Sequence, residues 1–164
     1  MNQPSEAKTN LRTGGQILID QLVLQGVDRV TCVPSESYLA ALNALHDTNI
    51  DVMICRAEGG AAMMADAYGK LTGRPGICFV TRGPGATNAS HGVHIAMQHS
   101  TPMILFVGQV GSTMREHEAF QEIDYKAVFC TMAKWWLRSI VQIAFQSWLR
   151  AAFALPCRAA AAPW

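Results

Sequence analysis

R-A-E-G-G-A-A-M-M-A-D-A-Y-G-K-L-T-G-R-P-G-I-C-F-V-T-R-G-P-G-A-T-N, residues 56–88, carries the pattern from which the fold of this chain is read. Residues 58–71 are rich in Ala, Met and Gly, which predicts a helix packed on both sides and ended by Gly73. Gly76 to Val80 is a short apolar run bounded by turn residues, and predicts a buried strand. G-P-G-A-T-N, Gly83 to Asn88, predicts a tight loop, with Thr87 or Asn88 capping a helix over residues 89–98. Helix, strand and helix follow one another with connections of only a few residues.

The same alternation extends outward. Residues 14–25 predict a helix with Ile17, Leu18, Leu22 and Val23 on one face, ended by Gly26. Residues 29–33 predict a strand stopped by Pro34, and Ser37 is placed to cap a helix carrying Leu39, Leu42 and Leu45. Residues 51–54 and 102–107 supply two more strands. Four strand-then-helix units predict an α/β fold: a parallel β-sheet with helices on both faces. Such sheets hold ligands outside the carboxyl ends of their strands, so the loops beginning at Pro34, Cys55, Thr81 and Gly108 are the candidate binding loops.

Composition narrows the function classes. The 164 residues are 50% hydrophobic and 15% charged, with a formal net charge of +1, which excludes disorder and offers no broad footprint for nucleic acid or a membrane surface. So little charge implies that surface is buried against something else, or that part of the chain is abnormal. Five scattered cysteines without a C-x-x-C pair fit neither a disulfide framework nor a zinc site, and point to the cytoplasm. Residues 1–12 are expected to form a flexible polar N-terminus without a secretory signal, and no apolar run reaches membrane-spanning length.

Within the candidate loops, Glu58 follows a strand, opens a helix and is succeeded by Gly59 and Gly60. A carboxylate among small residues leaves room for a flat ligand; it also complements the helix dipole. On glycine content alone, Gly83 to Asn88 is a plain strand-to-helix turn. Both the G-x-G-x-x-G and Walker fingerprints are absent.

Taken together, residues 56–88, P-M-I-L-F-V-G-Q-V at 102–110 and A-F-Q-E at 119–122 resemble the aminopyrimidine-binding domain of thiamine-diphosphate-dependent enzymes, in their acetolactate synthase-like branch. The resemblance covers residues 12–135 and implies a flavodoxin-like thiamine-diphosphate-binding fold. It implies that Glu58 hydrogen-bonds a ring nitrogen of the cofactor and assists proton removal from its thiazolium, the chemistry itself belonging to the cofactor. Gly59 and Gly60 would permit close approach of the ring, with Pro34, Gly83 and Asn88 in the adjoining loops. Phe120 and Gln121 would line and face the reacting centre. The intact relative would decarboxylate a small 2-oxo acid and pass the product to an acceptor. FAD, bound by some of the branch, finds no support in the residues.

Departures fall on the substrate side. Ala57 stands where the family often has His, Ser35 where it often has Gly, and Arg82 where acetolactate synthases usually carry a small residue. His91 and His94 share a helical face and read as packed or interfacial. The family's diphosphate and Mg²⁺ are held by another domain bearing G-D-G, a motif this sequence lacks. The expectation is therefore a half-site, with no metal ligands of its own, that is inactive alone and completed by a homo-oligomer or a separate chain. Residues 13–135 make up the expected domain. Residues 136–164 have no acidic residue, three of the four tryptophans and a terminal alanine run. They read as non-homologous, out-of-frame sequence, which makes the whole a truncated chain. The alternative is a basic amphipathic helix over residues 137–153, in a non-catalytic binding or regulatory module.

Overall fold

The computed structural model describes residues 11–137, 150–153 and 159–163. Helix α1, Gly14–Leu24, opens with a capping box in which Thr13 and Gln16 satisfy each other's backbone amides. Strand β1, Arg29–Cys32, leads into a 3₁₀ turn, Glu36–Tyr38, and helix α2, Leu39–His46. Strand β2, Asp51–Ile54, is followed by helix α3, Glu58–Thr72, which ends at Gly73 in the left-handed conformation (φ 69°). Strand β3, Gly76–Val80, helix α4, Pro84–Gln98, and strand β4, Met103–Val107, complete the expected units. A short helix α5, Tyr125–Phe129, then precedes strands β5, Trp135–Trp136, and β6, Ala159–Pro163.

Every pairing is parallel, and the sheet order is β2-β1-β3-β4-β6-β5. Two apolar layers sandwich it, because successive strand side chains point to opposite faces. Ile77, Phe79, Ile104 and Phe106 face α1 and α2, with Leu18, Ile19, Leu22, Ala41 and Leu45 above them. Cys78, Val80, Met103, Leu105 and Val107 face α3, α4 and α5. On the first face Phe79 stacks between Tyr38 and Phe106, with ring centroids 5.7 and 4.8 Å away.

Several expectations are corrected. Among the described residues the sheet has six strands, two more than the expected units supply, since Trp135–Trp136 and Ala159–Pro163 extend it beyond β4. Gly83 to Asn88 is no loop: Pro84 occupies the first turn of α4, where its missing N–H costs nothing. Gly83 (φ 53°) is the cap residue, and neither Thr87 nor Asn88 caps the helix. Ser37 does not cap α2, which Tyr38 precedes without a side-chain cap bond; Ser35 caps the 3₁₀ turn instead, accepting from the Ser37 amide. Ile19 replaces Val23 on the buried face of α1, and α3 is covered on one side only, with Met63 and Met64 exposed. Of the expected helix over residues 137–153, residues 138–149 lie outside the described residues; Leu137 is not helical, and 150–153 are helical and set Ala152 and Phe153 against the α1–α2 face.

Candidate functional site

Strand order reverses beside β1: β2 lies on one side of it and β3 on the other. The carboxyl ends of β1 and β3 thus open a crevice that no crossover covers. The first structural group beside this crevice is Glu58, at the start of α3, where the helix dipole favours a carboxylate. Asn88, from the second turn of α4, donates its Nδ2 to Glu58 Oε2 at 3.2 Å. Glu58 Oε1 accepts no hydrogen bond among the described residues, and neighbouring Gly60 faces open space. Gly85 makes the convergence possible. A Cβ there would lie 2.5 Å from Thr81 Cγ2 and 3.3 Å from Glu58 Oε1.

Gly59 has a different use from the one its neighbour has. It is buried, and a Cβ on it would stand 2.2 Å from the His91 ring and 3.2 Å from the Asn88 carbonyl oxygen. That glycine therefore faces α4, with the His91 side chain as its nearest neighbour. His91 therefore packs on α3, while His94 stays exposed within 3.2 Å of the Gln98 amide.

The second group is a set of hydroxyls across the crevice. Ser35 Oγ donates to Thr81 Oγ1 at 2.7 Å, and Ser37 Oγ lies 3.0 Å from the same atom. Ser35 also lies 2.8 Å from Glu36 Oε2, and this contact, ahead of Arg82, holds the Glu36 carboxyl below its ordinary range. Pro34, just before them, is exposed.

The third group is the A-F-Q-E segment. Arg82 Nε donates to the Phe120 carbonyl at 2.9 Å, and its Nη2 lies 3.0 Å from Glu36 Oε1. The Gln121 backbone rests on Gly83, whose ideal Cβ would stand 2.4 Å from the Gln121 carbonyl oxygen. Gly83 N donates to the Tyr125 hydroxyl at 3.0 Å, and burial raises that phenol above its ordinary range. The Phe120 side chain is 76% exposed, so this chain gives it no wall to line.

Glu58, Gly83, Asn88, Ser35 and Arg82 are thus brought to the carboxyl end of the sheet, with Pro34, Phe120 and Gln121 at the rim of the crevice. Thr81, Ser37 and Gly85, which lie in the expected loops without having been singled out as site residues, join them, as does Tyr125, which was not anticipated. The third glycine-spaced position of G-P-G was a usable signal for Gly85; the hydroxyl pairing had none, because it needs β1 beside β3. Burial pushes the Cys78 thiol up to about 12, which leaves it inert beside this end of the sheet. No three His, Cys, Asp or Glu side chains converge on a metal position among the described residues.

A family model described as the thiamine pyrophosphate enzyme, N-terminal TPP binding domain, matches residues 12–128. The chain belongs to this family. It is 38% identical over 125 residues to an acetolactate synthase catalytic subunit, mitochondrial, of Aspergillus candidus, covering 76% of this chain and 18% of that protein. It is 35% identical over 132 residues to the acetolactate synthase isozyme 2 large subunit of Escherichia coli, covering 79% of this chain and 24% of that one. An acetolactate synthase of Bacillus subtilis is 36% identical over 122 residues, 74% of this chain and 21% of its own. The chain therefore spans about a fifth of the length of the relatives it matches. A thiamine-diphosphate-binding aminopyrimidine domain is what residues 12–128 provide, and a non-catalytic regulatory module is not favoured.

The residues present fit the cofactor. Glu58 offers an acceptor oxygen beside the uncovered backbone of Gly60, as a ring N–H requires. No helix among the described residues is long and apolar enough to cross a membrane.

Proposed function

We propose that this chain supplies the aminopyrimidine half-site of an acetolactate synthase-like enzyme that decarboxylates a small 2-oxo acid and joins the product to an acceptor. The observation that carries this reading is the Glu58 carboxylate, held through one oxygen by Asn88 and open at the other. Bound thiamine diphosphate supplies the carbanion chemistry. Glu58 would accept a hydrogen bond from the protonated ring nitrogen at its open oxygen, and Asn88 keeps the carboxylate from turning away. Pro34, Gly83 and the Gly59–Gly60 backbone border the cofactor; Ser35, Arg82, Phe120 and Gln121 border the substrate. Mg²⁺ and the diphosphate belong to a G-D-G-bearing domain outside residues 13–135, brought against this one by a second subunit or a separate protein. Residues 13–135 form the functional unit, supported by the family match over 12–128. Free Cys32, Cys55, Cys78 and Cys130 accord with a cytoplasmic setting.

The test is calorimetry with thiamine diphosphate and Mg²⁺, on the chain alone and mixed with a chain bearing the G-D-G domain. Binding is expected only in the mixture, and Glu58→Gln is expected to weaken it. Equal binding by the chain alone, or by the variant, would overturn the reading.

A further inference from the structure

Residues 115–124 follow an unusual course. Glu116, Glu118 and Gln121 all have left-handed backbones, at φ 64°, 53° and 63°, although none is glycine. Each such residue costs about 1 kcal/mol or more and persists only where its surroundings hold it. The surroundings here are few. The Glu122 carboxylate accepts from the Glu116 amide at 3.1 Å, and Glu122 N donates to the Ala119 carbonyl at 2.9 Å. Those bonds close the segment on itself, but neither attaches it to the sheet. Attachment comes from Ile123 packed on the core, the Gln121–Gly83 backbone contact, the Tyr125 hydroxyl and Arg82.

Arg82 is placed to do more than fill space. Its side chain is 13% exposed against 69% for Glu36, and two of its nitrogens point to two different loops. One reaches the carbonyl that precedes the left-handed Gln121; the other reaches the turn after β1. We propose that Arg82 is a positioning residue, a two-ended clamp that fixes the A-F-Q-E segment over the crevice by joining the Phe120 carbonyl to Glu36. It acts on the substrate side by holding Phe120 and Gln121 in place. A guanidinium does this because its donors are splayed in a rigid plane; a lysine ammonium at the same place reaches one partner or the other.

That this segment serves the reacting centre rests on the function proposed above; the clamp itself does not. The experiment is hydrogen exchange of the full chain by mass spectrometry, without cofactor, for the parent, Arg82→Ala and Arg82→Lys. Both variants are expected to exchange about tenfold faster at residues 115–124 than the parent, with β3 and β4 amides unchanged. Parental protection in Arg82→Lys would overturn the clamp, since a point charge would then suffice. So would an equal rise across β3 and β4, which would make Arg82 a general stabiliser. If Arg82→Ala does not fold, Arg82→Lys decides alone. Because no thiamine diphosphate is present, failure here leaves the Glu58 binding test standing, and failure there leaves this one.

Discussion

Gly92→Ala tests whether the crossing of α3 and α4 sets the site. Gly92 is buried, and a Cβ there would stand 2.5 Å from Ala62 Cβ, 3.0 Å from the Ala62 carbonyl carbon and 3.2 Å from Met63 N. Ordinary carbon contacts begin near 3.5 Å, so the helices must part by about 1 Å. Two of the three obstructing atoms are backbone, and no rotamer change relieves them. Overpacking of this kind costs about 1–3 kcal/mol. Alanine returns about 1 kcal/mol through its better helix propensity, which leaves a net loss of about 1 kcal/mol. For a chain of this size that lowers Tm by about 2–4 °C. The assay is thermal unfolding of parent, Gly92→Ala, Ala62→Gly and the double variant. Ala62→Gly removes the nearest atom, so the double variant is expected to be less destabilised than the sum of the singles, by about 1 kcal/mol. Gly59→Ala gives the contrast: its obstacle is chiefly the end of the exposed His91 side chain, which can swing aside, and Tm should change little. A Gly92→Ala protein as stable as the parent, or strict additivity in the cycle, would refute the reasoning.

Two further outcomes follow from single contacts. The buried Thr31 hydroxyl donates to the Ala61 carbonyl at 2.9 Å and the Ile77 carbonyl at 3.2 Å, linking α3 to β3. Thr31→Val keeps the shape and removes the donor, so urea unfolding should show a loss of about 1–2 kcal/mol at unchanged m; an unaltered midpoint would contradict this. Asp28 accepts from the Tyr68 hydroxyl at 2.6 Å and pairs with Arg74, and the Tyr68 bond, more than the ion pair, holds its carboxyl below the ordinary range. A lowered folded-state value means that the contact stabilises above about pH 4 and is lost as pH falls through that lower value. The Tm advantage over Asp28→Asn should therefore shrink as pH falls below about 4, whereas a constant difference would argue against the contact.

Much of this was legible in one dimension. Alternating apolar runs and glycine-bounded turns specify short parallel strands and their helices, because burial on both faces leaves each strand continuously apolar. Glu58 and Gly83 to Asn88 were legible as strand-end residues for the same reason. The six-stranded extent of the sheet was not, since a two-residue strand and a run of alanines carry no periodicity to read. Nor was the helical start of α4, because a proline flanked by glycines suits a turn and a first helical position equally well.

What the sequence determined by itself was the fold class, the family and the order in which strand-end residues arrive. It did so through local propensity and a run of spaced motifs. Which of those residues meet was decided only by tertiary structure. Ser35 and Ser37 reach Thr81 because β1 lies beside β3, a pairing between positions 46 and 44 residues apart. Gly59 turns to His91 and Gly60 to open space because α3 leans on α4 through one of them and not the other. Adjacent glycines point some 100° apart around a helix, and only the packing of the neighbouring helix decides which of the two is left free to admit a ligand.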